Sequence, residues 1–243
     1  MKLKAWSLAL FGAMAMLPFA AAAGAVDGTI EINQAKVLAN GGSFPYVISN
    51  PGSYRLTGNL TVSSTSADAI DVNASQVTID LNGFSISGPG SSSVGHGIAE
   101  PSSSELEVEN GTITGFLFGL LIGNNSIVKS VRADSNGSGI QAGANSVVQG
   151  CTANGNSNAG TANGIRGGVG TVISGNTANG NSGNGIICGN GCLISGNTIG
   201  NNILGIFAPN ATSGYGGNVL NGNSASIVGG TSLGNNLCNG VVC

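Results

Sequence analysis

Ionisable side chains are scarce in this chain: seven Lys and Arg, ten Asp and Glu and one His among 243 residues. Those best placed to do chemistry cluster. Glu105, Glu107, Glu109, Lys129, Arg132 and Asp134 follow one another closely, and Arg166 comes after them. A Lys or Arg beside carboxylates can act as the base that removes a proton next to a uronate carboxylate, with Ca²⁺ neutralising the acid. On a surface that does no chemistry, the same groups hold a charged or hydroxylated ligand. Glu107, Glu109, Lys129, Arg132, Asp134 and Arg166 are therefore the candidate ligand-binding set, and no catalytic residue is assigned. His96 is a secondary candidate, with Asp68 and Asp71 upstream of it. A glycoside hydrolase needs two carboxylates roughly 5–10 Å apart. A single His leaves no attractive Ser-His-Asp arrangement, and no phosphate-cradling loop is present.

The five cysteines divide by spacing. Cys188 and Cys192 bracket Gly-Asn-Gly, and Cys238 and Cys243 lie close together downstream. No His accompanies them and the C-x-x-C form is missing, so two local disulfides are expected rather than a metal site. No cofactor is expected either. Cys151 is left over and reads as a small buried residue.

These residues sit on a repeat. Val108, Val128, Val148, Ile173, Ile194 and Leu220 form one apolar column, with gaps of 20, 20, 25, 21 and 26. Leu120, Ile140, Ile165, Ile186 and Ile206 form a second, each preceded by Gly, and Ile113, Ala133, Ala153, Ala178 and Ile199 a third. A steady period with insertions at fixed places indicates a solenoid. Each repeat holds brief alternating runs broken by Asn-Gly and Gly-Asn, too short for a helix. The expected fold is all-β: a single right-handed parallel β-helix, three short strands per coil and about seven coils. Asn136, Asn156, Asn181 and Asn202 form one Asn column, and Asn176, Asn197 and Asn223 continue another from Cys151; both are read as structural turns. Outward columns run Glu109, Lys129, Gln149, Ser174, Ser195, Asn221 and Thr112, Arg132, Thr152, Thr177, Thr198, Ser224. Glu109 and Lys129, sharing a column, are expected to pair.

Composition agrees. Gly accounts for 43 residues, charged residues for 7% and hydrophobic ones for 41%. Disordered chains are rich in charge and poor in apolar residues, and collagen requires Gly at every third position, so both are excluded. The net charge of −3 argues against nucleic-acid binding.

Val77-Thr78-Ile79-Asp80-Leu81-Asn82-Gly83-Phe84-Ser85-Ile86, Asn110-Gly111-Thr112-Ile113-Thr114-Gly115 and Ile194-Ser195-Gly196-Asn197-Thr198-Ile199 resemble the repeats of right-handed parallel β-helix proteins of the pectate-lyase-like superfamily. The resemblance covers roughly residues 60 to 223. It implies a fold shared by polysaccharide lyases, hydrolases, epimerases, periplasmic accessory proteins, phage tailspikes and many exported proteins of unknown role. It does not transfer an activity. Gly95-His96-Gly97 resembles the Gly-His-Gly segment of polygalacturonases. The Asn-Thr-Asp, the adjacent Asp-Asp and the Arg-Ile-Lys of that family are missing.

Lys2 and Lys4, an apolar run from Ala5 to Phe19 and the small residues through Ala25 have the layout of a cleavable export signal. Its removal takes the net charge from −3 to −5. The expected organisation is a signal peptide over 1–25, an N-terminal cap over 26–60, β-helix repeats over 61–223 and a C-terminal cap over 224–243. The expected protein is exported to a periplasmic or extracellular location, with no stable membrane insertion. Its expected role is binding extended polysaccharide along the solenoid face without catalysis. The alternatives are a polysaccharide lyase or glycoside hydrolase, and a structural or assembly component of the envelope.

Overall fold

The structure is a computed structural model and describes residues 28–39, 42–158 and 162–243. The expected leader lies outside them. The chain is an all-β parallel solenoid of about ten turns. Its strands stack into sheets of twelve, nine and five. Two expectations are corrected. The coils exceed seven because segments that show no repeat also carry rungs: Ile30–Ile32 pairs with Gly52–Leu56, and Thr231–Ser232 stacks on Gly214–Gly216. Nor is the number of strands per coil uniform, because Leu106–Thr114 and Ile127–Ala133 each continue through a corner as one strand.

The corners explain the Gly and Asn content. Between the nine- and twelve-stranded sheets, Glu105, Asn125, Asn145 and Gly170 all have positive φ. Asn110, Ser130, Gly150, Gly175 and Gly196 do so at the next corner, and Ser135, Gly155, Gly180 and Asn201 at the third. This left-handed region is costly for most L-residues and open to Gly and Asn.

At most of these corners the residue after the left-handed one points inward and carries a ladder, Leu106, Gly111 and Val131 being the exceptions. Asn181 is typical. Its Oδ1 accepts from the backbone N–H and side-chain Nδ2 of Asn156 (3.1 and 2.9 Å). Its Nδ2 donates to the Ala153 carbonyl and to Asn202 Oδ1, both at 2.9 Å. Each amide thus satisfies the turn below and is held by the turn above, which is why these side chains tolerate near-complete burial. Asn136, Asn156, Asn181, Asn202 and Asn223 form one ladder, and Asn176, Asn197, Asn218 and Asn236 the other. Asn223 therefore belongs to the first ladder, not the second. The corner between the nine- and twelve-stranded sheets uses hydroxyls instead: Ser146 Oγ accepts from Ser126 N–H (3.1 Å) and Ser213 Oγ from Cys192 N–H (3.2 Å).

The Asn ladder also dictates the Gly column. A Cβ on Gly139 would lie 2.6 Å from the Gly164 carbonyl oxygen and 2.9 Å from Asn156 Nδ2. One on Gly164 would lie 2.6 Å from the Gly185 oxygen and 2.7 Å from Asn181 Nδ2. The Ile that follows each Gly fills the core: Ile140, Ile165, Ile186 and Ile206 are stacked in register and buried. Full burial of such a side chain contributes about 1.5–3 kcal/mol.

The register of the last coils departs from the repeat. Ile194 pairs with Tyr215, and Leu220 with Ile199. Likewise Ser195 faces Gly216, Asn221 faces Gly200 and Val219, not Ser224, follows Thr198. The insertion falls before Gly214 rather than after it, so Leu220 joins the third column. At the first rung, the helix Gln34–Leu38 buries Val37, and its Gln34 side chain bonds both backbone groups of Thr61. Cys188–Cys192 and Cys238–Cys243 are bonded, and Cys151 is free and buried. Such bonds are compatible with an oxidising, exported location. No helix among the described residues is long and apolar enough to cross a membrane.

Candidate functional site

Five of the six candidate ligand-binding residues lie on two adjacent rungs, in two groups separated by the corner at Asn110 and Ser130. Glu107 and Glu109 alternate on one strand, so both face outward, and Lys129 sits opposite Glu109 on the next rung. Lys129 Nζ lies 2.5 Å from Glu107 and 3.4 Å from Glu109. The hydrogen bond to Glu107, followed by its charge and then Glu109, raises the ammonium above its ordinary value. A lysine held charged by two carboxylates is not a free base. The row continues backward through Asp80, which pairs with Arg55 at 3.3 Å. Arg132 stands over a shallow groove of about 330 Å³ lined by Thr112, Ser130 and Thr152, 3.8 Å from Asp134. Asp134 is itself committed to the fold, since its Oδ1 accepts from the Asn154 N–H at 2.7 Å. On both sides of that corner, charge is met by charge.

Arg166 belongs to neither group. Its strand belongs to the nine-stranded sheet, in a row with Gln141 and Ile187. The whole outward row there reads Val47, Asp71, Ala99, Leu121, Gln141, Arg166, Ile187, Phe207 and Val228. Arg166 is exposed and, unlike Arg55, Lys129 and Arg132, has no carboxylate within salt-bridge distance among the described residues. It lines a groove of about 410 Å³ together with Gln141, Val169, Ile187 and Pro209. Leu121, Ile187 and Phe207 are partly exposed around it. The column arithmetic placed Arg166 one coil along; it could not show that another face of the coil intervenes.

His96 occupies the same nine-stranded sheet and is not alone. Its Nδ1 lies 2.8 Å from Asp68 Oδ1, its ring stacks on Phe118 with centroids 5.6 Å apart, and its backbone N–H also binds Asp68 (2.6 Å). Burial alone would raise Asp68, but the side-chain and backbone bonds from His96 outweigh it and hold that carboxyl below its usual range. Asp71 behaves oppositely: burial, then the hydrogen bond and charge of Asp68, push it up to about 6. The two carboxyls lie within hydrogen-bonding reach of each other, and Asp71 Oδ1 is buried without a partner. Carboxyls within hydrogen-bonding reach of each other are closer than the roughly 5–10 Å separation that glycosidases use.

Glu100 was not singled out by sequence, yet it is fully buried. It follows the Gly-Ile unit as Ile122 and Ala142 do in later coils, so an acid in that apolar column was the available signal. Its Oε2 accepts from Gly123 N–H (3.0 Å) and Ser126 Oγ (3.4 Å), while Oε1 has no partner. Burial raises its carboxyl. Cys151 takes the first place of an Asn ladder, its N–H donating to Asn176 Oδ1 at 2.8 Å, and burial pushes its thiol up to about 11. Such a thiol is not a nucleophile at neutral pH. No group of three or more His, Cys, Asp or Glu side chains among the described residues converges in a way that could hold a metal ion. Set against known protein families, curated proteins and solved structures, the chain matches none.

Proposed function

We propose that this protein is an exported β-helix of the pectate-lyase-like type that holds an extended polysaccharide along its nine-stranded face and does not cleave it. The observation that carries the reading is the row Leu121, Gln141, Arg166, Ile187 and Phe207, one side chain per rung on a flat face. Rungs repeat about every 4.8 Å, a spacing comparable to the advance of one sugar along an extended glycan. A sugar ring has an apolar face and a polar rim. Phe207 and Ile187 suit the first, and the amide of Gln141 and the guanidinium of Arg166 suit the second. An unneutralised Arg in such a row favours an acidic polymer, because it offers a forked donor to a carboxylate or sulfate. The superfamily resemblance and the export-type leader support the same setting.

Catalysis is the weaker reading on physical grounds. Asp68 and Asp71, within hydrogen-bonding reach of each other, are too close for glycoside hydrolysis, and Lys129 is held charged between Glu107 and Glu109. The test is affinity electrophoresis against a polyuronate and a neutral β-glucan, with reducing ends and absorbance near 235 nm followed in parallel. The polyuronate is expected to retard the protein without product. Arg166→Ala should weaken that binding about tenfold or more, the loss expected of one charge-assisted hydrogen bond. Arg132→Ala should leave it unchanged. Product release would establish an enzyme, and failure to bind any polymer would favour a structural component.

A further inference from the structure

The two ends of the solenoid are finished differently. At the first rung the helix Gln34–Leu38 joins the opening strands of two sheets and docks Val37 into the core. At the last rung the chain turns back: Leu237–Cys238 pairs antiparallel with Val241–Val242, and Cys238–Cys243 ties the reversal. This closes the five-stranded sheet only. Ala225–Gly229 pairs with Leu204–Ala208 on one side, and no described strand pairs with its other edge.

An open strand edge normally carries Lys, Pro or another device against strand addition. This one has none. No Asp, Glu, Lys, Arg or His occurs after Arg166, and no Pro after Pro209. Large apolar side chains are exposed on the same last coil: Val228 at 39%, Leu233 at 60%, Val241 at 69% and Val242 at 74%. We infer that this end is an interface with a second copy of the chain, formed by antiparallel pairing of Ala225–Gly229 with itself about a two-fold axis near Ile227. A second copy is the fitting occupant because the surface carries no charged side chain, so its side chains meet their own copies without repulsion and the same apolar set is buried on both sides. A two-fold contact between like ends closes at two copies, whereas a head-to-tail contact would propagate into a filament.

The test is sedimentation velocity of the full chain from about 1 to 100 μM, with Val228→Lys and Val228→Thr compared by circular dichroism and thermal melting. The parent and Val228→Thr should sediment as a dimer. Val228→Lys, at a position whose side chain is 39% exposed, should dissociate at least tenfold more readily with an unchanged spectrum. Hydrogen exchange supplies a readout that needs no variant: the Ile227 and Val228 amides should be protected at high concentration and exchange on dilution. A monomeric parent, filaments, an undisturbed Val228→Lys dimer, or edge amides whose exchange ignores concentration would each overturn the inference.

Discussion

Replacing Asn197 by Ala tests the ladder from inside. Four hydrogen bonds leave with the amide: two accepted from Asn176 (2.9 and 3.0 Å) and two donated, to the Ile173 carbonyl and Asn218 Oδ1 (both 3.0 Å). Not all the partners are stranded. Asn176 Nδ2 keeps the Val148 carbonyl, and Asn218 Oδ1 keeps the Asn197 backbone N–H. The Asn176 N–H and the Ile173 carbonyl lose the partner the amide supplied, both within the buried corner. At about 1–3 kcal/mol for each buried group left unpaired, the substitution should cost about 3–5 kcal/mol once the vacated volume is included. The assay is equilibrium unfolding in guanidinium chloride, with amide exchange at Asn176 as the local readout. Asn197→Asp gives an independent check. At neutral pH its carboxylate faces two oxygen acceptors, whereas the protonated acid returns one donor, so this variant should regain stability on acidification. A loss below about 1 kcal/mol for Asn197→Ala, or an Asn197→Asp variant indifferent to pH, would refute the reasoning.

Three further outcomes follow from the same geometry. Gly164→Ala should destabilise by about 1–3 kcal/mol in a denaturant titration, because the added Cβ meets a backbone oxygen and a locked ladder amide, neither able to yield. Asp71→Asn should leave stability near pH 4 unchanged and raise it above pH 6. The parent carboxyl binds its proton more tightly folded than unfolded, so its contribution is full at low pH and is lost as pH rises from about 4 through 6. Partial exposure and the opposite shift of Asp68 hold the gain to about 1 kcal/mol, measurable by denaturation at the two pH values. Cys151→Asn should match or exceed the parent in thermal melting, since the new amide would extend the ladder toward the Val128 carbonyl, which lies 3.6 Å from the present thiol.

The solenoid was legible because its grammar is local. An inward aliphatic must recur at each rung, and a left-handed corner must be Gly, Asn or a tolerated exception. The columns through Val108, Val128 and Val148 and through Leu120, Ile140 and Ile165 hold in register as read. The Glu109–Lys129 pair, both disulfides and the buried Cys151 were legible for the same reason: each depends on neighbours in a column or a short loop. Reading failed where position along the repeat was not enough. An insertion can be placed before or after Gly214 with little change in pattern, which moved Leu220, Asn221 and Asn223 to the wrong columns. The Gly column was visible, but not its cause, the amide that a Cβ would strike. Arg166 looked adjacent to Arg132 because column counting carries no sense of which face a strand lies on. His96, Asp68 and Asp71 could be named together, but not their contacts, because they sit on two coils linked through an irregular insertion.

The claim that matters most is which face meets the ligand. Hydroxyl-radical footprinting with a saturating polyuronate reads this residue by residue. Leu121, Ile187 and Phe207 on the nine-stranded sheet should be protected, while Ile127 and Leu193, exposed on the twelve-stranded sheet, should be oxidised as in the free protein. Protection of Ile127 and Leu193 with Ile187 and Phe207 unchanged would place the polymer on the ion-paired face and contradict the account.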